Sequence, residues 1–133
     1  MASDTALVKA LNQLAKALDY ARRETDPGIF EQFRNSVIQT YEYSWELTTK
    51  YLRRTLVERA ASADEILSLS FPDLLRLAAA QGFIESVEEW LVFRAIRNKT
   101  SHGYEETFAN EAYTHAGPFL EAARHMLDRL ASS

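Results

Sequence analysis

At 133 residues, with no cysteine, a formal net charge of −4 and 47% hydrophobic against 26% charged side chains, the chain has the make-up of one folded domain spanning residues 1–133. That excludes disulfides, thiolate metal sites and a cysteine nucleophile, argues against disorder, and leaves no general basic surface for nucleic acid. Any attraction for a polyanion must be local: Arg94, Arg97 and Lys99 form one candidate patch, with Arg53 and Arg54 another. Met1 to Asp4 has no basic flank followed by an apolar run, so no signal peptide is expected. No segment approaches the roughly 20 apolar residues of a membrane span, and the absence of cysteine suits a reducing cytoplasm.

From Ser3 or Asp4 to about Thr25, Leu7, Leu11, Leu14, Leu18 and Ala21 recur at steps of four and three, which predicts an amphipathic helix. Asp26-Pro27-Gly28 is read as its stop. A second, unusually long helix is expected from near Ile29 to near Ala61, carrying Phe30, Phe33, Val37, Tyr41, Trp45, Leu52 and Leu56. Its aromatics are read as core, ahead of the alternative of a stacking platform for bases. Ser62 to Leu69 is either a connector or a short helical turn. Ser70-Phe71-Pro72-Asp73 is a helix-start signature, and Gly82 closes the short helix that follows. A fourth helix from about Glu85 to Arg97 is apolar almost all round and is expected to be buried on most sides. The last begins near Asn110 with Tyr113, Ala116, Leu120, Ala123, Leu127 and Leu130 on one stripe, and Gly117-Pro118 should kink it. No alternating segment reads as a strand. The expected fold is all-α, an up-and-down bundle of four principal helices plus a shorter one.

The chemistry concentrates in Arg97-Asn98-Lys99-Thr100-Ser101-His102-Gly103-Tyr104. Arginine offers a permanently charged fork suited to phosphate, and histidine is the side chain that titrates near neutrality. On an unbroken helix the two would lie about 140° apart, so the helix should end or kink between them to bring His102 back beside Arg97. Together they suit metal-free RNA cleavage, in which the 2′-hydroxyl attacks the adjacent phosphate: His102 moves the proton and Arg97 stabilises the crowded phosphorus centre. Asn98 and Lys99 would support the phosphate. The plainer alternative is that Arg97 caps a helix C-terminus and His102 sits in a polar surface turn. His115 and His125, ten apart on the last helix, are read as surface or edge residues, and no metal or cofactor is expected. Glu88-Glu89 and Glu105-Glu106 read as solvated charges. Neither a phosphate-cradling glycine loop nor a serine-histidine-acid set occurs.

The run Arg97-Asn98, then His102, then Tyr104 resembles the signature of the HEPN superfamily, and within it the bacterial HepT-type toxins, also known as nucleotidyltransferase substrate-binding proteins. The likeness extends to Tyr43-Ser44-Trp45-Glu46-Leu47, Phe71-Pro72, and Gly82-Phe83-Ile84 leading to Trp90. The resemblance implies a helical homodimer with two motifs facing each other, and an endoribonuclease toxin that cleaves RNA without metal through Arg97 and His102. It also implies a minimal nucleotidyltransferase antitoxin as partner, in a possible larger hetero-oligomer, which would transfer AMP from ATP to Tyr104. Two alternatives remain at this point: a non-catalytic module presenting nucleotide or substrate to a nucleotidyltransferase, and a purely structural helical partner.

Overall fold

The structure is a computed structural model that describes residues 4–100 and 105–132. Within them the chain forms six helices and no strand: α1 (Asp4–Arg23), α2 (Pro27–Arg59), α3 (Ala63–Leu67), α4 (Phe71–Ala80), α5 (Val87–Thr100) and α6 (Glu106–Ser132). Four of these, α1, α2, α5 and α6, build the bundle. Their directions follow from which residues meet. Ser44 bonds to Ala10 while Phe33 meets Tyr20, Trp45 stacks near Trp90 while Glu42 faces Arg97, and Lys99 reaches Glu111 while Trp90 meets Phe119. Consecutive members therefore run antiparallel, up and down, with α3 and α4 inserted between the second and third. Among the described residues no helix is long and apolar enough to cross a membrane.

Local chemistry sets the boundaries. Asp26-Pro27-Gly28, read as the stop of α1, is in fact the start of α2. The Asp26 carboxylate accepts from the Gly28 and Ile29 amides at 2.9 and 3.1 Å, and Pro27 occupies a first-turn position where its missing N–H costs nothing. The Ser70 hydroxyl caps α4 by accepting from the Asp73 amide at 3.2 Å. At the other end Gly82 adopts φ +84°, and the amides of Gly82 and Phe83 turn back to the carbonyls of Ala79 and Ala78. That reversal drops Phe83 and Ile84 into the core before Ser86 caps α5 through the Glu89 amide.

The core is continuous, and its centre is aromatic. Phe119 lies within about 6 Å of Tyr41, Trp45, Trp90 and Phe93, mostly in edge-to-face arrangements that each add to simple area burial. On α6, Ala109, Ala112, Ala116 and Ala123 are completely buried, small enough to let neighbouring helices approach closely. The helix starts at Glu106, a turn earlier than its stripe suggests, and continues through Pro118 as one element. One expectation is overturned: α5 is not buried nearly all round. Trp90, Phe93, Ile96 and Thr100 face inward, but Val92 is 44% exposed and Ala95 is also at the surface. Glu106, expected to be merely solvated, is a fastener instead. It accepts at 2.7 Å from Arg34, a buried arginine on α2 that also donates to Asn110.

Candidate functional site

Arg97 sits on the last turn of α5, and the packing beneath it is firm. Tyr41 is fully buried and donates its hydroxyl to the Phe93 carbonyl at 2.6 Å, bracing the turn that carries Arg97. Burial pushes this phenol well above its ordinary pKa, against a smaller downward pull from the Arg97 charge, so it stays a donor. Thr100 donates to Glu42 at 2.7 Å, which ties the end of α5 to α2. The same Glu42 lies 3.9 Å from one Arg97 nitrogen, while Glu46 holds another at 3.1 Å.

The two carboxylates differ in freedom. Glu42 is mostly enclosed and committed to Thr100, whereas the Glu46 side chain is 63% exposed. The Arg97 side chain is itself three-quarters covered, and its buried Nε–H has no hydrogen-bond partner among the described residues. An arginine held on one edge by an exposed acid can exchange that acid for another anion such as phosphate.

Beside Arg97 a groove of about 530 Å³ opens between α2, α4 and α5. Lys50 and Arg53 line it from α2, Arg94, Arg97 and Asn98 from α5, and the mostly covered Trp45 and Phe71 also border it. The Arg94 guanidinium covers the Phe71 ring at 5.1 Å. The structure thus redraws the expected cationic patches. Arg53 joins Arg94 and Arg97, but Lys99 turns away to pair with Glu111 at 3.0 Å and to lie over Phe108. Arg54, one residue round α2 from Arg53, does not line the groove. Lys50 was missed altogether. Its signal was present as Glu46, Lys50 and Arg53, spaced by four and three along one face of α2.

His102 and Tyr104 lie outside the described residues, so the fold-back of His102 onto Arg97 is not on view. Glu105 is non-helical, and α5 and α6 are separate helices on either side of the Ser101–Tyr104 stretch. Its flanks are both tied to α2, through Glu42 to Thr100 and through Arg34 to Glu106. His115 turns its Nδ1 to the Glu111 carbonyl, and His125 lies 3.9 Å from Glu85. Among the described residues no group of three potential metal ligands assembles. His125 instead borders a second, acidic cleft of about 360 Å³, where Glu85, Glu89 and Glu121 surround the outer edge of Trp90.

Comparison with known proteins places this geometry in context. A family model described as nucleotidyltransferase substrate binding protein like matches residues 5–132. The chain is 34% identical over 93 residues to a probable ribonuclease HepT from Haemophilus influenzae, covering 70% of this chain and 64% of that protein. It therefore matches less than two thirds of that curated relative's length. Among solved structures it is similar to HI0074 of Haemophilus influenzae, described as having the fold of a substrate binding domain of a nucleotidyltransferase. That similarity has a TM-score of 0.88 and 27% identity over 95% of this chain and 97% of the other. A protein from Thermus thermophilus shares the fold at a TM-score of 0.75 and 24% identity, over 93% of this chain and 98% of its own.

Proposed function

Because the chain belongs to the family of nucleotidyltransferase substrate binding protein-like proteins, we propose that it is a metal-independent endoribonuclease, the toxin of a toxin–antitoxin pair, with Arg97 and His102 as catalytic residues. In this reading Arg97 receives a non-bridging oxygen of the scissile phosphate as Glu46 gives way. His102 takes the proton of the 2′-hydroxyl as that oxygen bonds to phosphorus. The bond to the 5′-oxygen then breaks, and that oxygen leaves with a proton from the imidazolium or water. Asn98, at the groove wall, would orient a phosphate oxygen. Lys99, paired with Glu111, would contribute only by leaving that acid. The supporting observation is the setting of Arg97, held at 3.1 Å by an exposed acid beside a basic groove, in a protein that is acidic overall.

Control of such an activity would come from a minimal nucleotidyltransferase antitoxin acting on Tyr104. The phenol oxygen bonds to the α-phosphorus of ATP, pyrophosphate leaves, and the proton passes to solvent. The attached nucleotide phosphate would then occupy the slot beside Arg97 that RNA needs. A cytoplasmic homodimer, with two motifs facing each other, completes this reading. A second reading draws on the groove itself, whose mixture of cations and aromatic edges also suits a non-catalytic module holding a nucleotide for the transferase.

One experiment decides between them. Purified wild type and His102→Ala are incubated with cellular RNA in the presence of chelator, and the RNA ends are sequenced. New ends with wild type alone are expected. Equal cleavage by the variant removes His102 from catalysis, and intact RNA with both, alongside nucleotide binding, favours the second reading. Intact mass with the partner and ATP should show added AMP on wild type and none on Tyr104→Phe.

A further inference from the structure

We infer that the groove between α2, α4 and α5 is an RNA-binding subsite, which takes the single-stranded segment flanking the scissile phosphate; the inference rests on the ribonuclease reading above. Among the described residues four cations, Lys50, Arg53, Arg94 and Arg97, face Glu46 as the single acid lining it, while the whole chain carries a net charge of −4. Cation density of this kind in an acidic protein marks a local polyanion site, because nothing elsewhere supplies a general attraction.

Two features favour RNA over the acidic surface of a protein partner. The groove is bordered by aromatic side chains. Trp45 and Phe71 have ring centroids 5.8 Å apart at 64°, Trp45 is only 6% exposed, and the exposed Arg94 lies over Phe71, so the guanidinium plane of Arg94 is the stacking surface offered to an unstacked base. The groove is also continuous with Arg97, which shares its wall and is assigned to the reacting phosphate. From Glu46 to Arg53 the α2 wall extends about 10 Å, so the outer cations stand away from Arg97 along a path a strand can follow. Lys50 and Arg53 then hold neighbouring phosphates, and Glu46 is the competitor that the strand displaces.

The test uses the full chain and a fluorescent, non-cleavable 2′-O-methyl oligonucleotide, with binding read by anisotropy across a salt series. Arg53→Glu should weaken binding at least about tenfold, in line with loss of a charged contact. Arg53→Gln should make the slope of log affinity against log salt shallower by about 0.7, one phosphate contact on a single strand. Glu46→Gln should act the opposite way and tighten binding severalfold. The charge-matched control is Arg124→Glu, at a residue that bonds Asn12 across α1 and α6 and should leave binding near wild type. Circular dichroism melts confirm folding of each variant, and the opposite sign at Glu46 cannot come from unfolding.

Unchanged affinity and slope in the Arg53 variants, with RNA still cut by wild type, would overturn the subsite and leave the ribonuclease reading standing. Arg53-dependent binding by a protein that leaves all RNA intact would keep the subsite and sink the ribonuclease reading. Loss of binding to the nucleotidyltransferase partner in Arg53→Glu, with oligonucleotide affinity intact, would assign the groove to a protein and overturn the inference.

Discussion

Trp45 and Trp90 stand 5.9 Å apart in one aromatic cluster, yet each borders a different cleft. Around Trp45 the rim carries Lys50, Arg53, Arg94 and Arg97; around Trp90 it carries Glu85, Glu89 and Glu121. The clefts are lined by different residues and oppose each other in charge. Hydrophobic packing therefore fixes where depressions form, and surface charge decides what enters them. An overall acidic balance hides this partition, since the sum averages two rims of opposite sign.

The comparison can be broken at several places. Phe119 touches both tryptophans, so Phe119→Ala should damage both clefts at once and cost about 3–5 kcal/mol in chemical denaturation. Less severe, and confined to one side, is Gly82→Ala. A side chain at φ +84° is strained by about 1–2 kcal/mol, and the turn delivers Ile84 and Glu85 to the acidic cleft. Its melting temperature should fall while oligonucleotide affinity at the basic groove stays put.

Tyr41→Phe tests the basic side. Losing the hydroxyl bond leaves the buried Phe93 carbonyl with its helical partner only, so a stability loss of about 1 kcal/mol is expected. On the ribonuclease reading, cleavage should also fall, through looser placement of Arg97, with kcat affected more than KM. The smallest effect isolates the fastener at the start of α6. The Arg34 hydrogen bond, then its charge, hold the Glu106 carboxyl below its usual range. A depressed carboxyl contributes stability that is present above its unfolded pKa and lost as pH falls through the folded one. Thermal melts of wild type and Glu106→Gln should thus differ at neutral pH and converge on acidification below about pH 4.

Much of this architecture was legible from local pattern. The α1 stripe, the Ser70 cap and the Gly82 stop each depend on residues within a few positions of one another, which a linear reading captures. Phe119 was not, because it sits beside a proline and between two neighbouring stripes of α6, and only the arrival of α2 and α5 selects its face. The apolar look of α5 misled for a related reason: composition alone does not say that Val92 and Ala95 lie on the open side. At the site, the Arg97 motif stood out because its residues are consecutive. The groove did not, since Arg53 and Arg94 come from different helices far apart in the chain and meet only through packing. Arg34 and Glu106, 72 apart, were equally hidden.

The two ties from α2 to the flanks of the motif stretch, at Arg34 and Glu42, make that helix a measuring rod. Its pitch sets their separation at about 12 Å, and each added residue would rotate one tie by about 100° relative to the other. Between these positions the chain can accept no change in length: a single insertion or deletion would put the two anchors out of phase.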